Sequence, residues 1–410
     1  MRVLWFTNTL MPAVYRHFGR TATGGGHWMS VLLEALKMES NIQLAVATAH
    51  PGLKDTHFCD KGIDYFVAGQ PNRLSYLSFC QKDFKRCQEI TKTWAPDIIH
   101  VHGTERFYGL LTKEKNIDVP LIISLQGLLS EYVHKFWGNL SRGERLRMQT
   151  FRALLHGRGW LFDYVRYRKA AMRELDIIMS GKNFIGRTDW DKAHTKALNP
   201  KAGYFQVGEL LRPEFSSQSW SIGKIKRYSI IFTNFGSPLK NVETIFKAVA
   251  ILKQDFPPIN LRLGGTVYNF EGYHRLVAKK IQSMGLNENI EFLGYLNAME
   301  MSEALSGYHV FCIASLMENS PNSLCEAQLM GMPCVAGYAG GIPSLVEEGK
   351  TGLLFPPGDA AVLAHRIREI FESDNLAMDL GAAARKEAIR RHDPETVVKQ
   401  LLSAYEAIVT

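Results

Sequence analysis

The chain has 410 residues, 46% of them hydrophobic and 21% charged, a balance that suits folded cores and excludes a disordered protein. At roughly 100–200 residues per domain the length fits two domains or one large one, and no stretch approaches the ~18 consecutive apolar residues of a membrane-spanning helix. The net charge of +8 is uneven: residues 1–205 hold 29 Lys and Arg against 18 Asp and Glu, and the remainder holds 19 against 22. An anionic partner of the first half, or a solvated basic face, accounts for that asymmetry.

In chain order, short apolar β-branched runs predict strands at 3–6, 43–48, 97–101, 121–125, 177–180 and 204–207. Amphipathic periodicity predicts helices at 27–37 and 79–94 between them. The second half repeats the alternation, with strands at 229–233, 260–263, 290–293, 310–314 and 334–336 and helices at 242–254 and 273–284. Buried strands alternating with helices imply βαβ units and a parallel sheet covered on both faces. Pro213, Ser216, Ser217, Ser219, Ser221 and Gly223 interrupt the periodicity, and a lone helix at 394–408 closes the chain. The expected division is therefore 1–208, 209–390 and a terminal segment 391–410, with ligands bound at the carboxyl ends of strands. The first residues read as a strand and not a secretory leader, and the six cysteines show no C-x-x-C pair, which fits a reducing cytosol without a disulfide framework or thiolate metal site.

The most informative segment runs from Ser315 to Pro333. A buried strand leads into a loop holding Glu318, and a helix starts around Pro321, Asn322 and Ser323. Free backbone N–H groups at a helix start bind phosphate, assisted by the helix dipole, so residues 322–324 are candidate donors. Glu318 and Glu326 flank that start, and carboxylates accept several hydrogen bonds from vicinal sugar hydroxyls. Two plainer readings compete: Ser323-x-x-Glu326 also spells a capping box, and Glu318 could be an ordinary loop acid.

Downstream come Ala327, Gly331 and Pro333, then Gly340, Gly341 and Pro343, then Gly352 and Asp359. In order and spacing these resemble glycosyltransferase family 4, the retaining sugar-nucleotide enzymes of GT-B fold: Glu-x7-Glu, Ala-x-x-x-Gly-x-Pro, Gly-Gly-x-Pro and Gly-Leu-Leu-x-Pro-x-Gly-Asp. The resemblance covers the second half well and the first more loosely. It implies an α/β architecture of two doubly wound, Rossmann-like parallel-sheet domains facing a central cleft, with the acceptor on the first, the sugar nucleotide on the second, and the final helix packing back on the first. It implies that Glu318 orients the donor sugar, Glu326 holds the nucleotide ribose, and Lys240, in a Lys240-Asn241 pair where the family has Lys-Gly, neutralises the leaving diphosphate. Asn322, Ser323 and Leu324 would supply N–H groups, and Gly25 and Gly26 of a Gly24-Gly25-Gly26 loop would let backbone approach the donor. His102, after the strand that leads into the family's cleft, joins Gln126 and Arg187 as acceptor-side candidates.

Two positions depart from the pattern. Phe235 stands where the family has an Arg five residues before the Lys, and Gln126-Gly127 replaces a His-Gly pair. Outside the family pattern, His100 and His102 read as packed strand-end histidines, and a lone Lys240 as a surface charge. Asp189-Trp190-Asp191 imitates a metal-binding Asp-x-Asp, but Thr188 or Asp189 at a helix start accounts for it, so no metal and no cofactor are expected. Residues 135–173 hold ten basic side chains, opposed only by Glu144 and Asp163, with Phe136, Trp137, Phe151, Trp160, Phe162, Tyr164 and Tyr167 between them. That composition fits a surface lying on an anionic membrane, or surface helices whose aromatics pack inward.

The function implied is transfer of a sugar from a UDP- or GDP-linked donor to a hydroxyl of a glycan or glycolipid acceptor, in the cytoplasm or at the inner face of its membrane. No dedicated nucleophile or base stands out, which suits a front-face retaining mechanism in which the departing phosphate oxygen takes the acceptor's proton. The rival readings are an epimerase or phosphorylase of the same fold, the latter lacking an identifiable pyridoxal phosphate lysine, and a non-catalytic nucleotide-sugar-binding partner subunit. No nucleic-acid recognition motif is present, so no nucleic-acid partner is expected.

Overall fold

Buried β-branched and aromatic runs set the frame. In the computed structural model, which describes every residue except 21–26, 71–80, 115–116, 152–154, 156–158, 266–270 and 410, they form two sheets. The first contains β1 (Arg2–Thr7), β2 (Gln43–Pro51), β3 (Thr56–Asp60), β4 (Ile63–Gln70), β5 (Ile98–His102), β6 (Leu121–Ser124), β7 (Asn183–Gly186) and β8 (Gly203–Gln206), in the order β3-β4-β2-β1-β5-β6-β7-β8. All pairings are parallel except β3 with β4. β1 shows why a continuous apolar run is needed. Val3 and Trp5 enter one buried cluster and Leu4 and Phe6 another, as side chains alternate across a sheet covered on both faces.

The second sheet contains β9 (Lys226–Thr233), β10 (Asn260–Gly264), β11 (Ile290–Gly294), β12 (Tyr308–Ile313), β13 (Cys334–Gly337) and β14 (Leu353–Phe355), all parallel, in the order β11-β10-β9-β12-β13-β14. Its helices Val242–Leu252 and Asn322–Met330 bury most of their length against it.

The chain divides into two compact units. One comprises Met1–Val133, Val165–Leu210 and His392–Thr410; the other comprises His134–Tyr164 and Leu211–Arg391. Residues 134–164 thus lie with the second unit, not inside an unbroken 1–208 domain. Long-range contacts hold them there: Lys280 Nζ to Glu144 Oε1 at 2.8 Å, Asn139 Nδ2 to Asn241 Oδ1 at 3.0 Å, and Trp160 edge-on to Tyr273 with ring centroids 6.0 Å apart. The final helix, Pro394–Val409, belongs to the first unit. Its buried Tyr405 hydroxyl lies 2.6 Å from His100 Nδ1 and accepts from Trp5 Nε1 at 3.2 Å.

Residues 177–180, expected as a strand, are the last turn of the 21-residue helix Trp160–Ser180. Their apolar run serves the helix's buried face, through Ile177 and Ile178. Strands β3, β4, β7 and β14 were not anticipated; β14 is only three residues long, too short to show a period.

Candidate functional site

In the second unit, β12 delivers the chain into the loop that carries Glu318, and the helix Asn322–Met330 follows. Glu318 is 7% exposed, and its Oε1 accepts from Lys240 Nζ at 2.5 Å. Lys240 reaches it because its own turn is fastened to the same loop. Leu316 N–H donates to Leu239 O at 2.9 Å and Asn241 Nδ2 donates to Ala314 O at 3.1 Å. Asn241 has φ +55° and ψ 42°, the left-handed conformation that a glycine or asparagine adopts most readily. The Asn in the Lys240-Asn241 pair therefore fills the conformational requirement that a glycine would.

The downstream glycines fold back on the same loop. Gly341 N–H donates to Glu318 O at 2.9 Å, and Gly340, at φ +55°, lies so close that a Cβ there would collide with the Glu318 carbonyl. Asp359 has a different job: it caps the helix Ala360–Glu372, accepting from Ala361 and Val362 N–H at 3.1 and 3.0 Å.

Glu326 is not a helix cap. The helix begins at Asn322 after Pro321 with no side-chain cap, which puts Glu326 beyond its first turn. Its carboxylate is instead held by Arg212, Nε to Oε1 and Nη2 to Oε2 both at 2.8 Å. Burial pushes the Glu326 carboxyl above its ordinary pKa, and Arg212 pulls it back. At the uncapped helix start, Pro321, Asn322 and Ser323 are half-buried. Leu324 N–H turns back to Pro321 O at 3.0 Å, so of the three expected N–H donors it is the one already engaged within the turn.

Phe235 is 2% exposed and packs on Phe292 with ring centroids 5.3 Å apart, so this position is part of the core and presents no cation. Thr233 Oγ1 and Ser315 Oγ, at the carboxyl ends of β9 and β12, are buried without a hydrogen-bond partner. The motif reading missed both, although the rule that ligands bind at strand carboxyl ends would have directed attention to them.

The first unit gathers a second set. His102, at the end of β5, is fully buried between rings, with centroids 4.2 Å from Trp5 and 3.8 Å from His100, and neither of its ring nitrogens has a partner. Burial drives its pKa well below the ordinary histidine value, and that of His100 down to about 3. Gln126 Nε2 and Asn8 Oδ1 are also buried and unpartnered. Asn8 Nδ2 donates to Glu105 Oε2 at 2.5 Å, and burial raises the Glu105 carboxyl to about 7. Arg187 lies over the Trp28 ring, 4.9 Å from its centroid, with Nη1 3.3 Å from Glu209 Oε2. Sequence reasoning missed Asn8 and Glu105. Gly25 and Gly26 lie outside the described residues.

The Asp189-Trp190-Asp191 triplet opens the helix Asp189–Leu198, with Thr188 as its cap accepting from Asp191 N–H at 3.2 Å. The Asp191 carboxylate accepts from Arg187 N–H at 3.1 Å and from the Tyr204 hydroxyl.

Residues 216–387 match the family model of glycosyl transferases group 1. Over 300 residues the chain is 37% identical to the sulfoquinovosyl transferase SQD2 of Arabidopsis thaliana, covering 71% of this chain and 53% of that protein. The matched segments span about a third to about a half of the curated relatives' lengths. Among solved structures, the fold is similar to that of the sucrose-phosphate synthase of Thermosynechococcus elongatus, with TM-score 0.75 at 16% identity over 99% of both chains. It is also similar to that of Anabaena HepE in complex with UDP, with TM-score 0.68 at 16% identity over 99% of this chain and 100% of that one. Residues 216–387 are thus a glycosyl transferases group 1 domain, in a chain whose two parallel-sheet, Rossmann-like domains have the GT-B fold.

Proposed function

We propose that the protein is a retaining, family 4 glycosyltransferase that moves a sugar from a UDP- or GDP-linked donor to a hydroxyl of a glycan or glycolipid intermediate of cell-surface glycan synthesis. The observation that carries this is the juxtaposition in the group 1 domain of Lys240, Glu318 and an uncapped helix start. Transfer from a sugar nucleotide needs positive charge or N–H donors on the leaving diphosphate and an oriented donor sugar. Lys240 and the N–H groups of Asn322 and Ser323 supply the first, and Glu318 the second. Diphosphate arriving at Lys240 takes over the cation that Glu318 holds in this structure, and frees that carboxylate for sugar hydroxyls. Glu326 accepts from the ribose hydroxyls, and the departing phosphate oxygen takes the acceptor's proton. Protein cations and a helix start do the electrostatic work that metal ions do elsewhere, so the reaction needs no metal.

The bound UDP of HepE supports a nucleotide-diphosphate donor. In the first unit, His102, Gln126 and Arg187 at the strand ends are the proposed acceptor-side groups. Among the described residues no helix is long and apolar enough to cross a membrane. The proposed location is the cytoplasm, with peripheral attachment to the inner face of its membrane through the basic segment. Leu146 and Phe151 of that segment are 69% and 77% exposed, which supports the attachment, whereas Phe136, Trp137, Trp160 and Tyr164 pack against one another.

Phe235 favours a second reading. With a core phenylalanine in place of one phosphate-binding cation, a chain that binds a nucleotide sugar without turning it over, as a partner subunit, remains the alternative. Thermal shift against a panel of UDP- and GDP-sugars tests the donor assignment, because a ligand at ~100 times its Kd stabilises the folded state by about 2.7 kcal/mol. A selective rise in Tm with one nucleotide series is expected; no shift with any member contradicts the assignment.

A further inference from the structure

Glu326 does not stand alone. We infer that Arg212 is a positioning residue for nucleotide recognition, its guanidinium holding the Glu326 carboxylate in one orientation for the vicinal hydroxyls of the donor's ribose. The inference rests on the ribose-binding reading of Glu326 given above.

The geometry is a fork on a fork. Both Glu326 oxygens are engaged, each at 2.8 Å, by two different nitrogens of one guanidinium. Such a pair fixes the carboxylate plane as well as its position. It also leaves acceptor capacity, since a carboxylate offers about four lone-pair directions and Arg212 takes two. Both partners are braced. Glu326 lies on the buried stretch of the helix Asn322–Met330, and Arg212 lies over the ring of fully buried Phe215, 4.7 Å from its centroid.

Burial gives the pair a further consequence. The charged groups acting on Glu326 are Arg212 and Glu214, and Arg212 is also influenced by Glu214 and Tyr295. Burial and Glu214 both raise the Glu326 pKa, and Arg212 is the group that lowers it. Without Arg212 the acid stays protonated to higher pH, and a protonated carboxyl donates one hydrogen bond and gives up acceptor sites. Ribose binding in an Arg212→Ala protein should therefore weaken and become pH-dependent, recovering as pH rises and Glu326 ionises.

The test is calorimetric titration of the full chain with UDP, GDP and their 2′-deoxy counterparts between pH 6 and 9. It uses the wild type, Arg212→Ala, Arg212→Lys, Glu326→Gln and the double variant Arg212→Ala with Glu326→Gln. The wild type should prefer the ribonucleotide. Loss of a hydrogen bond to a charged group is worth about 10- to 100-fold in affinity, so Arg212→Ala should weaken ribonucleotide binding by that order at the acidic end of the range and recover as pH rises. Arg212→Lys keeps the charge but loses the fork and should fall between, which carries the test if Arg212→Ala does not fold. The double variant should bind no worse than Glu326→Gln, because Arg212 acts through that carboxylate. Wild-type affinity and pH profile in Arg212→Ala, beside weakened binding in Glu326→Gln, would overturn the role of Arg212 and leave the ribose reading standing. Unchanged binding and ribose preference in Glu326→Gln, or no binding of UDP or GDP by the wild type, would overturn the ribose reading and the inference with it.

Discussion

Removing the Lys240 ammonium should damage catalysis far more than folding. Nζ lies 2.5 Å from Glu318 Oε1, and the two side chains are 20% and 9% exposed. Breaking a fully buried ion pair costs about 3–5 kcal/mol, whereas an exposed pair is worth ~0–1 kcal/mol. The partly accessible ammonium puts this pair between those limits, so Lys240→Ala should lower unfolding free energy by about 1–3 kcal/mol. Glu318→Gln keeps the side chain's shape and an acceptor oxygen, and should cost less. Catalysis asks more of the same groups, since losing one transition-state charge contact costs about 10²–10³ in rate, or ~2.7–4 kcal/mol of barrier. The assay is urea denaturation with a common slope for stability, beside kcat and kcat/KM with the active donor for Lys240→Ala, Glu318→Gln and their combination. Near-normal turnover per folded molecule in both single variants would refute the site. A loss of stability without a loss of turnover would make the pair purely structural.

Activity should survive EDTA, because Thr188 caps the helix that Asp189 opens, and Asp191 is committed to Arg187 N–H and Tyr204; abolition with rescue by Mn²⁺ would contradict this. The protein should float with vesicles rich in anionic lipid at low salt and dissociate as salt rises, with Phe151→Ser weakening the association; no flotation at low salt would leave the segment as a solvated face. The first unit should lose stability on acidification. His100 has a folded pKa near 3, below its unfolded value of 6.5, so it binds its proton only on unfolding; its contribution is intact above pH 6.5 and falls as pH drops towards 3, by up to ~1.4 kcal/mol per pH unit. Tm measured from pH 7 to pH 4 checks this, and a flat profile in that window would be inconsistent with a buried neutral His100.

Much of the second unit was legible because its signals are local. The run from Glu318 to Asp359 names a strand, a helix start and several glycines within about forty residues, and each glycine or asparagine marks a backbone demand. Gly340 clears the Glu318 carbonyl, and Asn241 takes the left-handed turn beside Lys240. What local spacing left open or misplaced depends on distant partners. Ser323-x-x-Glu326 has the capping-box spacing, yet the helix starts at Asn322 and Glu326 is claimed by Arg212, 114 positions away. Residues 135–173 read as a basic aromatic surface within the first half, while Lys280 and Asn241, over a hundred residues downstream, tie Glu144 and Asn139 to the second unit. The unpartnered groups of Asn8, His102 and Gln126 come together only when β1, β5 and β6 align in parallel. No local pattern announces that convergence.

The most direct measurement is release of UDP or GDP from a panel of sugar nucleotides by the purified protein, with a hydroxyl-bearing glycan or glycolipid acceptor present, beside the Glu318→Gln protein. Turnover with one nucleotide series is expected, reduced by about 10²–10³ in Glu318→Gln. Nucleotide-sugar binding without release would favour the non-catalytic partner, and equal release by the wild type and Glu318→Gln would contradict the site.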